Sequence, residues 1–167
     1  MKLNQFGTSV ILASLIFSAF GFGAPIVLAQ RPTFLPALAC VNVESGWGAS
    51  DDDISVGREL YTSRLYMWPD SSFTCRLPSF SSMFLRLEFG IADDFNDGPA
   101  TSLSIYLDGN EIERQTVTRG QTRTVLLDVT GGRSIALEAS CTRAQGCRRM
   151  NFWVAQIELG ARSPGAR

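Results

Sequence analysis

Histidine is absent from the 167-residue sequence, and lysine occurs once, at Lys2. Without histidine there is no Ser-His-Asp or Cys-His relay and no imidazole acid/base step. Past Lys2 there is no amine for Schiff-base or P-loop chemistry either. The remaining positive charges are all arginine, and with sixteen acids the formal net charge of the chain is -1. There is no basic excess and no basic stripe interleaved with aromatics, only the isolated Arg148-Arg149 pair, so nucleic acid is excluded as a partner. No CxxC spacing occurs among the four cysteines, and no convincing amphipathic helix pattern is present.

One long apolar run exists, at the start. Residues 1–29 carry Lys2, an apolar core from Val10 to Phe22, a helix-breaking Pro25 and a Val27-x-Ala29 end before Gln30. That is the layout of a cleavable secretory signal peptide. The rival is a retained anchor, since about twenty apolar residues span a bilayer; Gly21, Gly23 and Pro25 favour cleavage. The expected product is secreted, periplasmic or extracellular, with no membrane attachment. Residues 30–37 then read as an extended, proline-containing lead-in, 38–160 as one domain, and 161–167 as a disordered tail.

What is present in that domain is a period of two. Leu85, Leu87 and Phe89 alternate with Arg86 and Glu88; Leu103, Ile105 and Leu107 alternate with polar or smaller neighbours until Asp108-Gly109-Asn110, a hairpin-turn signal. Val125, Leu127 and Val129 share one face, and after Thr130-Gly131-Gly132 so do Ile135, Leu137 and Ala139. Strands with one wet and one buried face produce this alternation. The fold class is therefore all-β, an antiparallel β-sandwich or jelly roll. Flanking strands are expected at Ala39–Val43, Glu59–Met67, from Phe73 through Leu77, and Asn151–Leu159. Leu60, Leu65 and Tyr66 are available to the core. In the closing strand Trp153, Ala155, Ile157 and Leu159 fall on one face, which places Trp153 in the core rather than at a sugar platform.

Cys40, Cys75, Cys141 and Cys147 all follow the leader, and an even number in an exported chain reads as disulfides. Three pairings are open. A short loop between two expected strands favours Cys141 with Cys147, which leaves Cys40 with Cys75. Zinc is the alternative, but it lacks histidine and CxxC ligands here. No cofactor is expected. Calcium is left open by the acidic runs Asp51-Asp52-Asp53 and Asp93-Asp94-Phe95-Asn96-Asp97, but no ligand pattern supports it: Phe95 stands at the third EF-hand position counted from Asp93, and Ser104 at the twelfth. Solvated loops are the simpler reading of both runs.

Taken in order, Glu44-Ser45-Gly46-Trp47-Gly48, Ser55 to Leu60, the Gly-Ile-Ala-Asp-Asp segment Gly90 to Asp94, the Tyr-Leu-Asp-Gly-Asn hairpin Tyr106 to Asn110, the run Leu126 to Gly132, and Trp153-Val154-Ala155 resemble the NPCBM domain. This is a carbohydrate-binding-module type associated with glycoside hydrolase family 98 enzymes. The resemblance spans roughly Leu38 to Leu159 and implies a galactose-binding-like β-sandwich that binds glycans. Two segments depart from the family pattern. Tyr66-Met67-Trp68-Pro69-Asp70 stands where members carry a Gly-x-x-x-His-Ala-like stretch, and Arg149-Met150-Asn151-Phe152-Trp153 stands in place of an Asp-His-Ala-Asp-Trp-like one.

Three functions follow for comparison. A non-catalytic carbohydrate-binding module needs an aromatic face for a pyranose and planar polar groups for its hydroxyls. Trp68, in a Pro-Asp-Ser loop away from alternating core positions, is the expected platform, with Asp70, Asp93, Asp94, Asn96 and Asp97 as hydroxyl partners. The alternative is a cell-envelope structural or protein-interaction β-sandwich without sugar binding. An enzyme is not expected: paired carboxylates suffice for glycoside hydrolysis, but the acids here follow no such pattern.

Overall fold

A computed structural model of the chain describes residues 31–44, 46–93, 98–143 and 146–159. The leader, the loop residues Asp94, Asn96 and Asp97, and the tail 161–167 lie outside the described residues. The alternating runs are strands throughout. In chain order these are β1 (Thr33–Phe34), β2 (Cys40–Glu44), β3 (Trp47–Ala49), β4 (Asp53–Val56), β5 (Glu59–Thr62), β6 (Leu65–Met67) and β7 (Ser71–Arg76). They continue as β8 (Met83–Gly90), β9 (Thr101–Leu107), β10 (Asn110–Val117), β11 (Thr122–Asp128), β12 (Ser134–Cys141) and β13 (Met150–Leu159). A 3-10 turn at Leu35–Ala37 is the one helical element among the described residues.

Two antiparallel sheets face each other. The first has the order β11-β8-β13-β6-β3, with β1 also paired to β13; the second runs β10-β9-β12-β7-β2. Between them lie the alternating apolar residues, with Phe73, Phe89, Phe152, Leu85, Leu87, Leu103, Ile105 and Leu137 fully buried. Each such side chain stabilises the fold by about 1.5–3 kcal/mol relative to its exposed state. Leu35, within the proline-containing lead-in, is also fully buried in this core.

Turn chemistry sets the register where it was legible. Asp108 (φ 49°) and Gly109 (φ 83°) form the two-residue turn that pairs Leu107 with Asn110. Both disulfides are present, Cys40–Cys75 across directly opposed positions of β2 and β7, and Cys141–Cys147 across the loop entering β13. Trp47, between its glycines, seats its ring against Phe73 at 4.4 Å.

Four expectations are corrected. Glu59–Met67 is not one strand: it breaks at Ser63-Arg64, where the buried Ser63 donates its N–H to the Asp52 carbonyl and its hydroxyl to the Leu65 carbonyl. The first part, β5, pairs with β4 in a separate hairpin, which leaves Leu60 exposed rather than in the core. Tyr66, between the core residues Leu65 and Met67, points to the outer side of its sheet and is only half-buried. Trp153 is also outside the inter-sheet core, because a bulge between Phe152 and Val154 inserts a residue opposite β8. Phe152, Ala155 and Ile157 face inward, while Trp153 packs with Ile54, Val56, Ala92 and Tyr61 in a satellite cluster beneath the β4–β5 hairpin.

Candidate functional site

One end of the sandwich gathers the ends of β6 and β8 and the starts of β11 and β13, since Met67 pairs with Met150, Asn151 with Gly90, and Gly90 with Thr122. The chain crosses from the first sheet to the second there, through Trp68-Pro69-Asp70. Proline fixes one φ of the turn and Asp70 takes a left-handed φ of 62°. The turn is clamped by its backbone: Trp68 N–H donates to the Gly46 carbonyl (2.7 Å), Asp70 N–H to the Ala139 carbonyl (2.7 Å), and the buried Ser71 hydroxyl to the Trp68 carbonyl (2.5 Å). On this fixed base Trp68 is 43% exposed, and Asp70 is exposed beside it. An exposed indole held at low conformational cost can stack on a ligand ring.

Asp93 leaves β8 two strand positions along the same sheet, roughly 10 Å away by strand spacing. Its carboxylate accepts from Gly57 N–H (3.0 Å), Arg58 N–H (2.9 Å) and the Ser55 hydroxyl (2.7 Å). The Arg58 N–H, then the Ser55 hydroxyl, hold its pKa below the ordinary carboxylate value. Asp93 thus fastens the tip of the β4–β5 hairpin to the sandwich end. Of the candidate residues, Trp68 and Asp70 share one turn, Asp93 is bound to the hairpin, and Asp94, Asn96 and Asp97 fall outside the described residues.

The acidic run before the hairpin is tied up locally. Asp51 pairs with Arg64 at 2.6 Å, Asp53 accepts from the Thr62 hydroxyl at 2.8 Å, and Asp52 accepts from the Ser50 hydroxyl at 3.0 Å. Among the described residues no group of three or more histidines, cysteines or acids is placed to hold a metal. Arg149, of the Arg148-Arg149 pair that stood out in the sequence, has its guanidinium 5.4 Å from the Tyr66 ring centre and 3.7 Å from Asp52. Asn151, opposite Tyr66, is fully buried, and neither end of its amide has a hydrogen-bond partner among the described residues. Nothing local in Arg-Arg-Met-Asn-Phe-Trp signals this patch, because it is assembled across β13 and β6.

No protein-family model matches the chain, and no curated protein matches it in sequence. Solved structures do match in fold. The CBM51 module of Clostridium perfringens GH95, in complex with methyl-galactose, superposes with TM-score 0.63 at 13% identity, covering 76% of this chain and 99% of its own. The second CBM51 module and INT domains of Clostridium perfringens ZmpB, in complex with GlcNAc, give TM-score 0.63 at 12% identity over 78% of this chain, which spans 32% of that one. The tandem CBM51 modules of the family 98 glycoside hydrolase from Streptococcus pneumoniae give 0.61 at 11% identity, covering 91% of this chain and 52% of theirs. The fold is an antiparallel β-sandwich of the galactose-binding-like kind, shared with these modules.

Proposed function

We propose that this chain is an exported, non-catalytic glycan-binding module of the NPCBM type. Trp68 is its aromatic platform and Asp70 its adjacent hydroxyl partner. The observation that carries the reading is the exposed Trp68 on a turn held by three hydrogen bonds to its backbone. In this reading Asp94, Asn96 and Asp97 supply further hydroxyl partners, while Asp93 acts as a positioning residue, since its carboxylate already accepts three hydrogen bonds. The neighbours' sugars, methyl-galactose and GlcNAc, support neutral hexoses as the first ligands to try. No cofactor enters the proposal, and calcium is an arm of its test.

The disulfide-bonded protein would be screened on a broad glycan array, with calcium and with chelator, beside Trp68→Ala. Selective binding in both buffers, weakened about tenfold or more in the variant, is the expected result. Retained binding in the variant would remove Trp68 from the site. A second reading, an envelope protein-interaction module, is favoured by edge strand β2, where Val41 and Val43 are about two-thirds exposed. It would replace the first if the folded protein bound no glycan.

A further inference from the structure

The first sheet has a gap in it. On one edge β13 pairs with β8 along nearly its whole length, but on the other it pairs with β6 only at Met150–Phe152 and with β1 only at Gln156–Ile157. From Trp153 to Ala155 that edge has no strand partner among the described residues, and the bulge falls within this gap. Four residue steps separate Phe152 from Gln156, roughly 13 Å of strand. The result is a notch of about 430 Å³, lined by Phe34, Ser50, Asp51, Arg64, Trp153 and Gln156 among others. That is within the usual range for small-molecule sites, roughly 300–1,000 Å³.

The walls divide by chemistry. Trp153 is held from elsewhere in its surroundings: Tyr61 stacks on it at 4.0 Å, and its indole N–H donates to Glu88 at 3.1 Å. With the half-buried Phe34 and with Ala49 and Ala155, it makes up the apolar part of the lining. Arg64 and Asp51 form an exposed 2.6 Å ion pair at the rim. The Gln156 side-chain N–H donates to Glu158 at 2.9 Å, which leaves its amide oxygen as an acceptor. An anion is poorly matched, because Asp51 stands beside the arginine; a cation is poorly matched, because Arg64 stands beside the carboxylate. A purely apolar ligand would desolvate that pair without replacing its water. What fits is a neutral polyol with an apolar face, bonded at its hydroxyls by guanidinium, carboxylate and amide.

We infer that this notch is a second saccharide-binding site, taking a neutral pyranose unit and independent of Trp68. The three tryptophans, Trp47, Trp68 and Trp153, give three separate indole signals. Titration of the ¹⁵N-labelled, disulfide-bonded protein with methyl-galactoside, methyl N-acetylglucosaminide and methyl xyloside reads both sites at once. At least one glycoside is expected to move the Trp153 indole and the Val154 and Gln156 amides, with a millimolar dissociation constant. Arg64→Ala should weaken it about tenfold, Ala49→Trp, at another residue of the lining, should block it sterically, and Trp68→Ala should leave it unchanged. Retained spectral dispersion establishes that each variant is folded. The inference fails if none of the three glycosides moves the Trp153 signals at about 20 mM, some twentyfold above a 1 mM constant, or if the shifts survive Ala49→Trp. Shifts confined to Trp68 would overturn this site and keep the module reading; shifts confined to Trp153 would do the reverse.

Discussion

At the scale of single residues, three aspartates act as turn fasteners. Asp93 holds Arg58 and Gly57 N–H groups, Asp108 holds those of Arg133 and Ser134, and Asp128 holds that of Thr130. Each has its pKa lowered by these bonds, led by the Arg58 N–H for Asp93, the Arg133 N–H for Asp108 and the Thr130 side chain for Asp128. A carboxylate that is a stronger acid in the folded chain contributes stability fully above its unfolded pKa of about 3.9, and loses it as pH falls through the depressed folded value. The urea midpoint is therefore expected to stay flat from about pH 7 to pH 5 with respect to these groups and to fall below about pH 4. Asp93→Ala should lower the neutral-pH midpoint by about 0.5 M and shallow the acid limb. A midpoint insensitive to that substitution would show that the hairpin tip is held by other contacts. Asp93 was recognisable from sequence as a polar residue after a strand, but its partners lie 35 to 38 positions away, and no local pattern points to them.

At the scale of elements, the β4–β5 hairpin is the feature that sequence patterning could not supply. Its two-residue turn, Gly57-Arg58, has both φ values positive, 62° and 71°. Arginine is a poor residue for that region, so local propensity argues against a turn there, and Asp93 supplies the compensating bonds. The hairpin lies close over the first sheet: a methyl group on Gly90 would come 2.5 Å from the Gln121 carbonyl oxygen and 2.9 Å from a Val56 methyl carbon. Gly90→Ala is expected to cost about 1–3 kcal/mol by overpacking and to lift the hairpin from Trp153. Hydrogen exchange of the β4–β5 amides and tryptophan fluorescence would both report this. Unchanged exchange in the variant would mean that the sheet, and not the hairpin, absorbs the added methyl.

For the whole molecule, the disulfides anchor the sandwich at two unlike places. Cys40–Cys75 closes a separation of 35 residues and ties edge strand β2 to β7; Cys141–Cys147 closes one of 6. Chain entropy predicts a loss of about 4 kcal/mol on replacing the first pair by serine and about 2 kcal/mol for the second. Denaturant unfolding of the two double variants tests the order, and equal losses would show that native packing rather than loop closure sets the contribution.

The sequence by itself determined the sandwich, the inward faces of β7, β8, β9 and β12 and the Asp108-Gly109 turn, because each follows from a period of two or a dipeptide conformation; it favoured one cysteine pairing of three through a short loop, and the structure has that pairing. The tertiary structure decided what stands on the surface. One inserted residue before Val154 turned Trp153 from the core to the outside, since a one-residue shift exchanges the two faces of a strand. Tertiary pairing also divided Glu59–Met67 between two layers and left the edge of β13 open at the notch, through contacts between segments far apart in the chain. Periodicity is a local property, whereas bulges, layering and gaps are fixed by which distant strand lies alongside.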